Sequence, residues 1–429
     1  MSEAAVGRRV VGVLVSGLLA VLGAGASASA PAPVRFTPGL TLGPGGAAAA
    51  GLRAWAAAGL AADAARYLVP APEHPGHPAY AGAVVLAARH GVIAVDVAVG
   101  WALRYAQRDG RLTDLPPAQR VPMRTDTVFD IASLTKLFTA VLVLREVERD
   151  RVALDAPVAR YLPEFAAAGK ATVTVRQLLT HTGGLAENID LSGYTDRPAA
   201  LHAVLVAPLE RGLAPGGQFH YSDLGMIALG ALVERVTGQR LDELLQTGIA
   251  GPLGLRDTGY RPDLARYGDR IAATEYRPGA GVLYGVAHDE KVGPLGGVAG
   301  HAGVFATARD VAVFAQMLLD GGRYGSTRIL REDTVRSMIT NDNAGFPGHD
   351  HGLGLELNQP WYMGPLAGPA SFGHTGYTGT SLVADPRTGT VLVFLTNQVH
   401  PDRAWSTTAP AHNVPRRRVA ADLSAALVG

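Results

Sequence analysis

Apolar and polar positions change rhythm several times along the chain, and each rhythm predicts an element. Ala81–Leu86 and Val92–Ala98 are two apolar, β-rich runs separated by His90-Gly91, which reads as a hairpin. Before them, residues 52–68 carry the spacing of an amphipathic helix. Residues 31 to about 50, rich in Pro, Gly and Ala, read as a flexible lead-in. Ile131–Val147 is apolar on nearly every face, the mark of a buried helix. From about 150 to 290 the pattern stays helical with many breaks. Its clearest helix is Leu224–Thr237, stopped by Gly238 as a C-cap. The period then shortens. Gly352–Asn358, Gly379–Ala384 and Thr390–Thr396 alternate or run apolar with β-branched residues, and Asp385-Pro386-Arg387-Thr388-Gly389 is a turn between the last two. Two strands near the start and three near the end predict one antiparallel sheet built from both ends of the chain. The fold expected is therefore α/β (α+β): a sheet flanked by helices, plus a helical domain, with a cleft between them. The chain divides into residues 1–30, an N-terminal extension with a helix at 31–78, and a main domain at 79–429. In that domain the sheet comes from about 79–130 and 300–429, and the helical insert is about 131–299.

Composition narrows the function classes. With 429 residues, 48% of them hydrophobic, the chain can bury a large core. A formal net charge of +1 and a charged fraction of 17% leave no concentrated basic patch, so no nucleic-acid partner is expected. Arg416-Arg417-Arg418 is the one basic run, and it reads as a solvated helix end. The absence of cysteine excludes disulfides, thiol catalysis, cysteine-bound metals and a lipidated anchor. At the N-terminus, Arg8 and Arg9 precede the uncharged, mostly apolar stretch Val10–Leu22 and the small residues Ala28-Ser29-Ala30. This is the layout of a signal peptide, cut near Ala30. The body is then expected to act outside the cytoplasm, secreted or periplasmic, with no stable membrane insertion after cleavage.

Three short segments carry candidate chemistry. In Ser133-Leu134-Thr135-Lys136 the hydroxyl and the amine are three residues apart, so on a helix they share a face. Serine needs a group to take its proton, and a lysine desolvated in the apolar run around it would have its pKa lowered toward neutrality. Ser133 would also lie at a helix start, where free N–H groups can hold an oxyanion. Tyr221-Ser222-Asp223 follows a Pro-Gly-Gly loop and precedes the Leu224 helix. A tyrosine near cations can relay a proton, while Ser222 or Asp223 is suited to cap the helix. His374-Thr375-Gly376 lies on a strand-like segment, Phe372–Leu382. Its glycine would let a substrate backbone approach, and the N–H of Tyr377 would offer a second oxyanion donor.

Taken together, and in this order and spacing, these segments resemble the three motifs of the penicillin-binding-protein and class C β-lactamase superfamily of serine hydrolases. Leu178-Leu179-Thr180-His181-Thr182-Gly183-Gly184-Leu185 resembles a structural signature of the same group. The likeness runs from about residue 79 to about 425, and the Gly296–Gly303 and Gly373–Gly376 runs are most similar to carboxypeptidase-like or esterase-like members. It implies a β-lactamase/DD-peptidase-like fold. It also implies Ser133 as nucleophile, Lys136 as base or as the holder of a Tyr221 phenolate, and Tyr221 as proton donor to the leaving group. The N–H groups of Ser133 and Tyr377 would form the oxyanion hole, with Asp223, His374, Thr375, Gly376 and His301 contacting substrate. Two positions depart from the family pattern: Asp223 stands where Asn is usual, and His374 where Lys is usual. Asp cannot donate to a substrate amide, and His is charged only part of the time near neutral pH. The activity implied is a D-alanyl-D-alanine carboxypeptidase acting on a peptidoglycan stem peptide. A carboxylic ester hydrolase or D-amino-acid amidase comes next, then a β-lactamase, and a non-catalytic β-lactam or peptidoglycan sensor is the rival of a different class.

Other clusters are weaker. His288-Asp289-Glu290 with His301 fits no zinc motif, although a metal-dependent amidase would use such residues. The pairs His74/His77 and His349/His351 read as surface loops. The glycine runs at 43–46 and 296–303 lack a P-loop ending, so no nucleotide is assigned. Neither a cofactor nor a metal is expected.

Overall fold

Alternation along the strands sets the architecture. In β1 (Gly82–Arg89), Val84, Leu86 and Ala88 enter one apolar core while Ala83, Val85 and Ala87 enter another. A strand that buries both faces belongs at the centre of a sheet covered on both sides. The computed structural model describes residues 34–108, 111–405 and 411–428, so the expected signal segment lies outside the described residues.

With it in the main sheet lie β2 (Val92–Leu103), β3 (Glu356–Leu357), β4 (Phe372–Thr375), β5 (Ser381–Asp385) and β6 (Thr390–Thr396). The main sheet runs Gly43–Pro44, β2, β1, β6, β5, β4, β3, and Val121–Pro122 adds to β2. Every neighbour is antiparallel except Gly43–Pro44, which lies parallel to β2. β1 and β6 pair from Ala83 with Thr396 to Arg89 with Thr390, so the two ends of the chain meet at the centre of the sheet. His90 and Gly91 both have positive φ (49° and 80°), as a two-residue hairpin turn requires.

One face of the sheet is covered by α1 (Ala56–Arg66), together with Tyr362, Met363 and the C-terminal helix Val414–Ala426. The larger core on the other face holds α2 (Thr135–Glu148), α3 (Asp223–Thr237) and α4 (Ala308–Leu319). Val414–Ala426 is α5 hereafter. The ends of α3 follow from its sequence. Ser222 caps it by accepting the Gly225 N–H at 3.2 Å, and Gly238 closes it with φ 71°. Among the described residues, no helix is long and apolar enough to cross a membrane.

Four expectations change. Residues 34–50 are not merely a lead-in, because Gly43–Pro44 joins the sheet. Gly352–Asn358 pairs only at Glu356–Leu357. Phe372–Leu382 is a hairpin rather than one strand: Gly376 N–H donates to Thr380 O at 2.7 Å, and His374 pairs with Leu382. Arg416 is not a solvated helix end but is buried, since α5 turns that side chain into the body.

Candidate active site

Ser133 sits on a 3₁₀ turn, Ala132–Leu134, that leads into α2. The residue before it, Ala132, has φ 46°, a left-handed conformation that costs energy in a residue with a Cβ. The buried Asp130 carboxylate holds it there. One oxygen accepts the Ala132 N–H at 2.9 Å, and the other accepts the His288 N–H at 2.7 Å. Lys136 lies one helical turn on, 1% exposed, and its Nζ donates to Ser133 Oγ at 2.8 Å. From the loop before α3, the Tyr221 hydroxyl donates to the same oxygen at 3.0 Å. That loop is fixed by His181. Its carbonyl accepts the His220 N–H at 2.8 Å, its Nδ1 accepts the Ser222 N–H at 3.2 Å, and its ring packs on Tyr221 at 4.7 Å. The role of the Leu178–Leu185 segment is thus to support the tyrosine.

Protonation differs from the sequence expectation. Burial works to lower the Lys136 pKa, but the Asp223 carboxylate and the Tyr221 oxygen outweigh it and hold the lysine above its ordinary value. Asp223 Oδ1 lies 2.8 Å from Lys136 Nζ. A lysine brought near neutrality by desolvation was expected, and the carboxylate beside it is the reason it stays an ammonium. Burial also pushes the Tyr221 hydroxyl up to about 12, partly offset by Lys136. At rest, Ser133 Oγ therefore accepts from an ammonium and a neutral phenol.

The hairpin after β4 faces this pair. Thr378 Oγ1 donates to Asp130 O at 2.7 Å and Thr380 Oγ1 to Ile131 O at 3.1 Å, tying the Gly376–Thr380 turn to the segment before Ser133. Gly376 is glycine for this reason: a Cβ there would lie 2.1 Å from Thr380 Oγ1 and 2.5 Å from Ile131 O. The turn's fit against its own framework, rather than a substrate backbone, sets that requirement. Tyr377 follows at the tip, half exposed, its ring stacked on His288. His374 lines the site but carries no charge near neutrality. Burial and Lys136 bring its pKa down to about 3, and its Nδ1 engages Thr375 O at 2.6 Å. Ser133, Tyr221, His374, Thr375, Gly376 and Tyr377 all border one cavity of about 630 Å³. Its walls include Phe219, stacked on His349, and Trp361; Glu356 and Arg416 also line it.

Two expected substrate contacts do not face that cavity. Asp223 uses one carboxylate oxygen for Lys136 and places the other 3.2 Å from Lys291 Nζ. The His301 side chain is fully buried, its Nε2 3.2 Å from Asp289 Oδ1, and only its carbonyl reaches the site, accepting from Lys136 at 3.1 Å. The glycines around His301 therefore serve close packing, not an open pocket wall. His288 turns to Glu275 at 3.2 Å, so His288, Asp289 and His301 do not converge as a metal-dependent amidase would need. Ligand atoms of Asp223, Asp289 and His301 do cluster within 4.8 Å, but the Lys291 ammonium already engages both carboxylates, so the residues present do not fit a metal. His74 and His351 are buried rather than surface-lying. Sequence reasoning missed Lys291, Glu356, Phe219, Trp361 and Arg416. Lys291 left a trace only as the cation ending His288-Asp289-Glu290-Lys291, a run that looks like any charged loop, and Arg416 only as part of the run read as a solvated helix end.

An alkoxide formed at Ser133 would have two proton carriers at hand and a bordering turn whose N–H groups can receive an oxyanion. Comparison with known proteins gives the chain's family. Residues 71–413 match the family model described as Beta-lactamase. A protein of Escherichia coli (strain K12) named "Putative D-alanyl-D-alanine carboxypeptidase" is 36% identical over 317 residues, covering 66% of this chain and 71% of the relative. Among solved structures, a penicillin-binding-protein homologue from Caulobacter crescentus aligns with TM-score 0.63 and 25% identity, covering 84% of this chain and 99% of that one. A family VIII carboxylesterase shares the fold with TM-score 0.62 and 24% identity, over 84% of this chain and 99% of its own. Since the family match spans most of the described residues, the chain belongs to the Beta-lactamase family, the penicillin-binding-protein and class C superfamily of serine hydrolases.

Proposed function

We propose that the protein forms an acyl-enzyme on Ser133 and acts, outside the cytoplasm, as a carboxypeptidase on peptides ending in D-alanyl-D-alanine. The observation that carries the acyl-enzyme is the convergence of Lys136 Nζ and the Tyr221 hydroxyl on Ser133 Oγ at 2.8 and 3.0 Å beside a substrate-sized cavity. Loss of one proton from the Lys136–Tyr221 pair creates the base, as a free amine or as a phenolate beside an ammonium; the two forms are tautomers. That base takes the Ser133 proton as Oγ bonds to the acyl carbon, with the N–H groups of Ser133 and Tyr377 receiving the oxyanion. The C–N bond then breaks, and Tyr221 passes a proton to the departing amine. Water, activated by the same pair, releases the acid and restores Ser133.

The peptide reading is supported by the name of the E. coli relative. A second reading, a carboxylic ester hydrolase, is favoured by the neutral His374 and the aromatic walls, which suit an uncharged substrate better than a carboxylate. Two measurements test these readings. Intact mass after brief exposure to benzylpenicillin, with Ser133→Ala alongside, should show an adduct on the wild type only. Release of D-alanine from a diacetyl-lysyl-D-alanyl-D-alanine peptide should require Ser133. An equal adduct on the alanine variant removes the nucleophile assignment. No D-alanine release, together with Ser133-dependent cleavage of a p-nitrophenyl ester, replaces the carboxypeptidase with the esterase.

A further inference from the structure

We infer that Lys291 is a positioning residue of this site: it shares the Asp223 carboxylate with Lys136 and thereby keeps the Lys136–Tyr221 pair able to give up a proton. The inference rests on the acyl-enzyme reading above and extends it to a residue outside the three motifs.

The geometry is a closed ring. Lys136 Nζ meets Asp223 Oδ1 at 2.8 Å, and Asp223 Oδ2 meets Lys291 Nζ at 3.2 Å. Lys291 Nζ meets Asp289 Oδ2 at 3.0 Å, and Asp289 Oδ1 meets His301 Nε2 at 3.2 Å. The His301 carbonyl closes the ring on Lys136 Nζ at 3.1 Å. Lys291 has a third partner, Asn188 Oδ1 at 2.8 Å. Its three N–H donors are then all engaged, and it does not border the substrate cavity, so it is not placed to grip a substrate anion. Its one distinctive act is to bind the carboxylate that binds Lys136.

That act matters because of Asp223. An unshared carboxylate against a buried ammonium would lock the proton on Lys136. A second ammonium on its other oxygen weakens that hold, as does the His301 ring, which also acts on Asp223, and Asp289 in turn balances the charge of Lys291, so the ring holds two ammonium groups and two carboxylates with the His301 imidazole on Asp289. The other groups facing Lys136 are Ser133 on its own turn and Tyr221. At longer range His181 and His374, both with pKa values lowered by burial, and Glu356 act on or feel its charge. None of them touches Asp223 Oδ2. The ring thus accounts for how a site with Asp in place of the usual Asn can still cycle a proton.

The sign does not depend on which tautomer acts. Removing the Lys291 cation makes the potential at both Lys136 and Tyr221 more negative, so the base is harder to expose. The acid limb of the kcat/KM profile moves to higher pH. The experiment follows p-nitrophenyl butyrate hydrolysis against pH for the wild type, Lys291→Met, Lys291→Arg, Asp223→Asn and the double variant, with Ser133→Ala as the blank. Lys291→Met is expected to move the limb up by about one unit, about tenfold in kcat/KM on the acid side. Lys291→Arg, which keeps the charge, stays near wild type. Asp223→Asn moves the limb down, and Lys291→Met displaces it less in that background than in the wild type, a coupling that two independent effects would not produce. The same limb in Lys291→Met and wild type overturns the inference. So does a Lys291→Met displacement as large in the Asp223→Asn background as in the wild type. If Lys291→Met does not fold, Lys291→Gln takes its place, with the same outcomes. Wild type that neither hydrolyses the ester faster than the Ser133→Ala blank nor forms a benzylpenicillin adduct overturns the acyl-enzyme reading itself, and where only the adduct forms the limb is read from its rate.

Discussion

Lys136 and Tyr221 differ in what they can do alone and together. Each is held above its ordinary pKa, and in each case burial and Asp223 act on a group whose charge the other modifies. Protonated at neutral pH, the pair has to lose a proton before Ser133 can attack. A base whose pKa is raised is exposed only as pH rises, so kcat/KM is expected to climb through the neutral and alkaline range with a single limb. Tyr221→Phe and Lys136→Ala should each lower kcat/KM by about 10²–10⁴-fold. Near-normal turnover in either would remove that side chain from the proton path. Ser133 and Lys136 were readable from sequence because one helical turn fixes their distance. Their protonation was not, because it depends on Asp223 and on Lys291, 155 residues downstream of Lys136 by numbering and held in place by loops without a periodic signal.

At the scale of elements, what could be read was what repeats. The all-apolar run at 131–147 and the Ser222/Gly238 brackets around α3 announce helices because burial and caps leave local marks. The turn at 376–380 was missed inside a presumed strand, since the side-chain bonds from Thr378 and Thr380 that fold it back go to residues far away in sequence. Buried carboxyls are similarly silent in sequence, and α4 ends on one. Asp320 sits at the negative end of that helix, 2% exposed, where burial pushes its pKa up to about 7 against a partial offset from Gln316. Gln316 Nε2 donates to its Oδ1 at 2.8 Å, while Gln316 Oε1 is buried with no donor among the described residues. A folded pKa above the ordinary 3.8 means the folded state holds the proton more tightly. The stabilisation is complete below the unfolded value and is lost as pH rises through about 7. Asp320→Asn keeps a neutral side chain that can donate to Gln316. Melting curves should therefore match the wild type near pH 4 and rise above it by roughly 1–4 °C at pH 8. An equal Tm at both pH values would show that Asp320 is not held protonated.

At the scale of the molecule, the two ends of the chain make one sheet, and the C-terminal helix reaches the active-site turn. The sheet could be foreseen because each end carries period-two apolar runs. That α5 governs the turn could not, since Arg416 lies in a run of three arginines that looks solvent-facing. In the fold its Nη2 donates to Gly376 O at 2.9 Å and to Thr380 O at 3.3 Å. Burial lowers its pKa to about 10, so it remains a cation at neutral pH. Those two carbonyls bracket Tyr377, whose N–H is the proposed oxyanion donor. Each also has a backbone donor, from Gly379 at 3.0 Å and Gly376 at 2.7 Å, so replacing Arg416 leaves neither carbonyl unpaired. The guanidinium accordingly fixes the position of the turn more than the stability of the fold. Arg416→Met is expected to lower kcat by about 10²-fold, the cost of an oxyanion donor displaced by about an ångström. Because the Lys136–Tyr221 pair and its charge ring are untouched, the acid limb of the profile should stay in place, and the Tm should change little. An unchanged kcat would free the turn from α5. A limb displaced along with the rate would mean that Arg416 acts on the charges around Lys136 instead of on the geometry of Tyr377.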